Sequence, residues 1–262
     1  MSLNNKSILV TGGAGFIGSH LVDALVKENP ENLAVLSNFF LGKEDNLKEA
    51  REKYPKLRIY HGSAADYETI KRIIENNNID LVYNLAVIPL PVSLEDPLWS
   101  TMENIKITLN VCELLRKGSF KKLIHFSSSE AYGSAINVPM SEKHELNPET
   151  PYAASKASGD LIVDSYYRTF KLDTSILRPF NNYGPRQNAG KFAAIIPIFI
   201  KKMMNKEDTL TINGDGNQTR DFIYAADTAN AAVEFAKNKN VIGKTINIAS
   251  GREISMNYLA EL

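Results

Sequence analysis

Cysteine is nearly missing from this chain: its 262 residues contain one, Cys112. A lone thiol cannot close an internal disulfide, which excludes a stapled secreted scaffold and suits a reducing cytoplasm. Cys112 falls among Val111, Leu114 and Leu115 in a helical apolar pattern and reads as core. An excess of one charge is missing too, since 30 Lys and Arg balance 30 Asp and Glu. No global field therefore draws in nucleic acid or an anionic membrane, and an anionic ligand needs a local site. Long apolar runs are absent. The longest, Phe192 to Ile200, contains Pro197 and falls well short of the about 18 residues a membrane span requires. The start of the chain has no apolar signal core before a cleavage site, there are no internal repeats or low-complexity tracts, and no metal is expected. What is left is 44% hydrophobic and 23% charged, an ordinary composition for a globular chain long enough for one large α/β domain.

The first pattern is a β-branched run, Lys6 to Thr11, that leads into GGAGFIGSHLVDALVKE. Phe16, Ile17, Leu21, Leu25 and Val26 repeat at helical spacing, so the unit reads strand, glycine turn, helix. Gly12, Gly15 and Gly18 let the backbone turn tightly and approach a pyrophosphate. The amides that open the helix, those of Phe16 and Ile17 among them, receive its charge. The spacing Gly-x-x-Gly-x-x-Gly departs from the usual G-x-G-x-x-G, and glycines by themselves also punctuate turns. A second strand, Leu33 to Leu36, ends where a ribose-binding acid is usual about 20 residues beyond the glycines; here stand Ser37 and Asn38. Without that carboxylate NAD is not favoured over NADP. Lys43 could approach a 2′-phosphate, or simply be solvated surface.

Further strands are expected at Leu57 to Tyr60, Asp80 to Leu85, Lys121 to Ser127 and Thr174 to Leu177. Helices are expected from Tyr67 to Glu75, capped by Asp66, from Trp99 to Lys117 with a stripe of Ile105, Leu109, Cys112 and Leu115, and from Ala154 to Phe170. The segment AVIPLPVSLEDP reads as a loop lining a cleft. Strands alternating with helices in this way predict a doubly wound parallel sheet, an α/β Rossmann architecture. The texture changes at Arg178, so residues 1–178 are expected to form the dinucleotide-binding domain and 179–262 a smaller substrate-binding region, apparently cut short at Leu262.

Chemistry concentrates between Leu123 and Lys156. An apolar run breaks into Ser127, Ser128 and Ser129, then Glu130 and Tyr132-Gly133, as where a buried strand ends at a ligand crevice. Tyr152 follows, with Lys156 four positions on, and in a helix those side chains share a face. A nearby ammonium favours phenolate over phenol and makes the tyrosine a candidate general acid/base.

Taken together, TGGAGFIGSHL, SSSEAYG, PYAASK, RPFNNYGPRQ and GDGNQTRDFIYAADTA resemble, in order, the extended short-chain dehydrogenase/reductases, specifically the NAD-dependent nucleotide-sugar epimerase/dehydratase family. The motifs look closest to UDP-N-acetylhexosamine 4,6-dehydratases, with 4-epimerases and UDP-glucuronate decarboxylases close behind. The resemblance implies NAD as cofactor, a nucleotide-diphosphate sugar as substrate, and oxidation at the sugar's C4. Tyr152 and Lys156 would exchange the C4 hydroxyl proton, Ser128 would hydrogen-bond the same oxygen, and Glu130 would remove the C5 proton in a dehydratase. Ser129 stands where many dehydratases have an Asp. Glu130 could instead be a surface carboxylate at a strand end.

The cofactor would also meet Leu85 and Ala86 at the fourth strand's end, and Ser63 and Ala64 in HGSAAD, where relatives usually hold an adenine-binding Asp at the position of Ser63. Asn181 and Arg220 fall on diphosphate-binding positions, with Arg186 on the same face; for Arg220 a salt bridge to Asp221 is the plainer alternative. A homodimer paired through the helices of Trp99 to Lys117 and Ala154 to Phe170 is also implied, though their apolar content could be ordinary core. A silent dinucleotide-binding protein is the non-enzymatic alternative, motivated by the two missing acids.

Overall fold

Strand β1 (Ser7–Thr11) is buried at every residue, as a strand covered on both faces must be. The computed structural model describes residues 2–207 and 209–262. After β1 come helix α1 (Phe16–Val26), β2 (Asn32–Ser37), α2 (Lys48–Lys53), β3 (Arg58–His61), α3 (Tyr67–Asn76), β4 (Leu81–Asn84), α4 (Leu90–Glu95), α5 (Pro97–Arg116) and β5 (Lys122–Phe126). Then follow α6 (Pro151–Phe170), β6 (Thr174–Pro179), β7 (Asn181–Tyr183), α7 (Ile195–Met204), β8 (Thr219–Tyr224), α8 (Ala225–Lys237), β9 (Thr245–Ile248), β10 (Glu253–Ser255) and α9 (Met256–Glu261).

Seven strands form one sheet in the order β3-β2-β1-β4-β5-β6-β9, every neighbouring pair parallel. This is the expected doubly wound architecture. The order reverses between β1 and β4, so the crevice at their carboxyl ends is the place for a ligand. Alternation along the strands feeds two cores. Ile8, Val10, Leu33 and Val35 pack with Leu21, Leu25 and Phe235 of α1 and α8. Leu9, Ala34 and Leu36 turn to the other face, with Ile70, Ile74, Val111 and Leu114 of α3 and α5. No helix among the described residues is long and apolar enough to cross a membrane, and among them no cluster of His, Cys, Asp and Glu could hold a metal.

Four expectations are corrected. The segment read as a loop after β4 contains α4, with Pro91 in its first turn, where a missing amide costs nothing. Helix α5 buries only half of the expected stripe: Cys112 and Leu115 are buried, but Leu109 is exposed and Ile105 only partly covered, while Asn104, Ile107, Thr108 and Val111 are buried beside them. The helix is wedged between the sheet and α6, so its covered face is broader than one heptad-like stripe and rotated from it. Helix α6 begins at Pro151 rather than Ala154, because Thr150 caps it by accepting the Ala153 amide at 3.1 Å.

The division at 178 fails as well, since it cuts through β6. Beyond it, β9 pairs with β6 from Ile176–Thr245 to Pro179–Ile248, and α8 packs on the α1 side. Only β7, β8 and β10 build a separate sheet, in the order β10-β8-β7.

Candidate active site

The floor of the crevice is set by the end of β1. The Thr11 hydroxyl donates to Asn84 Oδ1 at 2.8 Å and accepts the amides of Leu85 and Ala86, each at 3.1 Å. The glycine turn lies directly against that segment. Gly12 has φ +70° and a Cβ there would come within 2.9 Å of the Ala86 nitrogen, while a Cβ on Gly18 would come within 2.3 Å of the Gly12 carbonyl oxygen. Gly15 precedes α1, whose amino end has neither a side-chain cap nor an acidic residue in its first turn. The amides of Phe16 and Ile17 are therefore presented where no protein carboxylate competes for them, the donor set that a pyrophosphate needs.

At the end of β2, Ser37 is buried and its hydroxyl accepts the Phe39 amide at 3.2 Å, whereas Asn38 is exposed and accepts the Phe40 amide. The Ser63 hydroxyl accepts from Ala65, and the Ala64 carbonyl from Asn110 Nδ2. Ser37, Asn38, Ser63 and Ala64 thus place no carboxylate at these strand ends, and nearby His61 stacks on Phe39 at 4.2 Å between ring centroids and meets Glu44 at 3.0 Å.

The reactive group is assembled where β5 meets the amino end of α6. Ser128 caps a single 3-10 turn, Ser129–Tyr132, by accepting the Glu130 amide at 3.2 Å. That turn brings Ser128 and Glu130 close enough to Tyr152 to act on its phenol, Ser128 stabilising the ionised form and the Glu130 charge opposing it. Ser129 is buried in the same turn. Lys156 is buried below and donates its ammonium hydrogen to the Phe126 carbonyl.

The electrostatics differ from what the Tyr-x-x-x-Lys spacing predicts. Burial pushes the Tyr152 hydroxyl up to about 12, the Ser128 bond opposing and the Glu130 charge adding to the rise. Burial also brings Lys156 down to about 8, with Asp160 holding it up. Lys156 is tied to the strand carbonyl, so its cation does not offset the phenol's loss of solvent.

The expected diphosphate residues separate. Asn181 lies on β7 and reaches the Asp221 carbonyl at 3.4 Å. Arg220, on the adjacent β8, is exposed and makes no ion pair among the described residues. The expected alternative, a bridge to Asp221, is not formed because neighbouring strand residues point to opposite faces. Asp221 instead accepts the amides of Ser250, Gly251 and Arg252. Arg220 contributes to lowering the Glu149 carboxyl, after the larger effect of Ser134's hydrogen bonds, which places it toward the amino end of α6. Arg186 does not share that face: it pairs with Asp23 of α1 at 2.6 Å and with Glu49 of α2 at 3.7 Å, its cation already engaged.

Sequence reasoning missed a buried polar chain behind the site. Asp160 Oδ2 accepts Ser127 Oγ at 2.7 Å and Arg178 Nε at 2.8 Å. Arg178 Nη1 donates to the Tyr132 hydroxyl at 2.8 Å, which donates to Asn247 Oδ1 at 2.8 Å. The one available signal was Asp160, a second polar residue four positions past Lys156.

A model of the NAD dependent epimerase/dehydratase family matches residues 8–249. A putative UDP-glucose 4-epimerase of Methanocaldococcus jannaschii is 37% identical over 256 residues, 97% of this chain and 80% of that protein. The chain belongs to this epimerase/dehydratase family. A dTDP-D-glucose 4,6-dehydratase of Dictyostelium discoideum is 36% identical over 97% of this chain, which spans only 62% of that relative's length. The dTDP-glucose 4,6-dehydratase DesIV of Streptomyces venezuelae, solved with NAD bound, superposes with a TM-score of 0.89 at 30% identity over 97% of this chain and 79% of its own. NAD is thus the cofactor of the family, and the uncapped helix end, the close glycine turn and the buried Lys156 of this chain fit it.

Proposed function

We propose that the protein oxidises C4 of a nucleotide-diphosphate hexose and then eliminates water, as a 4,6-dehydratase. The observation that carries this reading is the 3-10 turn that sets Ser128 and Glu130 two residues apart just past β5, close enough to Tyr152 for the Glu130 charge to bear on its phenol. NAD, when bound, supplies the hydride acceptor for C4–H and a positive ring that favours the phenolate. It would be held by the turn of Gly12, Gly15 and Gly18, the amides of Phe16 and Ile17, Leu85 and Ala86, the neutral rim of Ser37, Asn38, Ser63 and Ala64, and Lys156.

Tyr152 takes the C4 hydroxyl proton while Ser128 donates to the same oxygen. The ketone at C4 makes the neighbouring C5 hydrogen acidic; Glu130 removes it as the C6 hydroxyl leaves, the proton taken from the C4 hydroxyl completing the water. C6 would then take back the hydride that C4 gave up while Glu130 returns a proton to C5, so that the net change is the loss of one water. Asn181 and Arg220, which makes no ion pair among the described residues, receive the diphosphate, Arg220 by a two-point grip. A uridine diphosphate sugar is the first candidate. Leu98, Met102 and Leu161 leave an apolar face on α5 and α6 that suits a homodimer, and a nucleotide-sugar substrate together with one buried thiol suits the cytoplasm.

A 4-epimerase is the second reading. Ser129, where an acid for the departing hydroxyl would help elimination, favours it. Incubation with UDP-N-acetylglucosamine and UDP-glucose, read by mass spectrometry, separates the two. A dehydratase product lacks the mass of one water; an epimerase product keeps the mass and changes the sugar. No change of either kind across a broad nucleotide-sugar panel overturns both. Tyr152→Phe lowers turnover about a hundred- to ten-thousand-fold with an unchanged melting temperature, and retained turnover would remove Tyr152 from its role.

A further inference from the structure

Lys156 and Asp160 stand one turn apart on α6 and latch onto the last residue of β5 and the residue that follows it. The Lys156 ammonium donates to the carbonyl of Phe126, and Asp160 accepts the hydroxyl of Ser127. Both are buried, at 6% and 2% exposure, so neither charge is relieved by water. Lys156 has no carboxylate in hydrogen-bond contact among the described residues. Asp160 is paired with Arg178, a cation only 5% exposed that continues through Tyr132 to Asn247. The Arg178 guanidinium also lies over the Tyr132 ring, 4.7 Å from its centroid.

Three members of this chain adjoin residues of the proposed reactive group: Ser127 precedes Ser128, Tyr132 closes the turn that carries Glu130, and Asp160 follows Lys156 by one turn. A purely structural ion pair could sit anywhere in the core. This one is wired to all three segments that must keep register.

We propose that Asp160, fixed by Arg178 and Ser127, is the positioning residue that keeps Lys156 cationic and seated beneath Tyr152. The inference rests on the reading of Lys156 as a cofactor-binding residue of the proposed site.

The groups facing Lys156 leave Asp160 as its source of negative charge. Tyr152 on α6 is a neutral phenol. His125 on β5 is held neutral by burial and by the cations of Lys156 and Arg178. Arg178 on β6 is itself positive. Glu130, on the turn after β5, acts on Tyr152. Asp160 Oδ1 has no hydrogen-bond partner among the described residues, so the carboxylate's remaining lone pairs lie in the buried interior, where a nearby cation is felt strongly.

The test is the affinity for NAD measured by calorimetry from pH 6 to 10, which needs no turnover. The wild-type protein loses affinity as Lys156 gives up its proton, with a midpoint near 8. Asp160→Asn keeps the shape, removes the charge and moves that midpoint down by about one pH unit, the size of shift one nearby opposite charge produces.

Ser127→Ala removes a hydrogen bond and no charge, and leaves the midpoint in place. Where the single Asn variant fails to fold because Arg178 is left alone, Asp160→Asn combined with Arg178→Gln removes both buried charges and still lowers the midpoint, by less than the single variant because the repulsion from Arg178 goes too. An unchanged midpoint in either folded variant, with affinity merely weaker at every pH, makes Asp160 a structural residue and overturns the proposal. Failure of the wild-type protein to transform any nucleotide sugar would overturn the proposed reaction and leave this profile intact.

Discussion

Burial at Lys156 sets function against stability. The ammonium is 6% exposed and its pKa falls from 10.5 to about 8 on folding. Below about 8 the lysine is charged in both folded and unfolded chains, and the full penalty of burying it is present. Between 8 and 10.5 the folded state releases its proton first, the unfolded state binds more, and stability rises with pH as the penalty is relieved. A shift of this size corresponds to about 3 kcal/mol, offset by about 1 kcal/mol for the bond to Phe126. Lys156→Met therefore stabilises the cofactor-free protein by roughly 2 kcal/mol at pH 7, and the gain shrinks toward pH 10 while NAD binding is lost. Urea unfolding at the two pH values checks this. Equal destabilisation at both would show that the ammonium's bond outweighs its desolvation.

Helix α6 carries Tyr152 in its first turn, so the way the helix starts is a functional matter. Thr150 accepts the Ala153 amide and Pro151 enters at a position where its missing N–H is harmless. Thr150→Ala is expected to lower unfolding stability by about 1 kcal/mol and to reduce turnover more than binding, because the frayed turn is the one that holds the phenol. A variant whose stability drops while the turnover rate stays put would show that Ser128 alone positions Tyr152.

This start was legible in principle, since Thr-Pro is a standard opening, yet the apolar periodicity begins at Ala154 and drew the boundary inward. Elements governed by local pattern were read well, the run from β1 through the glycine turn into α1 above all. Elements governed by tertiary partners were not. Arg178 looks like the start of a polar loop because nothing nearby in sequence answers its charge; the answer, Asp160, comes from the preceding helix. Arg186 likewise matches a family motif, but its partners Asp23 and Glu49 are far upstream, visible only once the chain has folded.

At the scale of the molecule, the face that α5 and α6 turn outward demands an explanation. Leu98 is 76% exposed, Met102 60%, Leu109 38% and Leu161 62%. On α5 the positions 98, 102 and 109 follow helical spacing, so the side chains form a stripe rather than scattered singles. Isolated exposed leucines are ordinary, whereas apolar side chains lined up along a helix are what the proposed dimer interface would cover. The inner sides of the same helices carry Asn104, bonded to Ser155 at 3.0 Å, and Lys156 itself, so pairing α5 and α6 with their symmetry mates would stiffen the frame of the reactive group from behind.

Sedimentation should therefore find the proposed dimer. Replacing both Met102 and Leu161 by Glu, which sets like charges against each other across a two-fold axis, should yield monomers with unchanged helical circular dichroism. Because Lys156 and Tyr152 sit on the other side of α6, the monomers should still bind NAD but turn over more slowly. A double variant that remains dimeric would move the interface elsewhere on the molecule and leave the apolar stripe without its proposed partner.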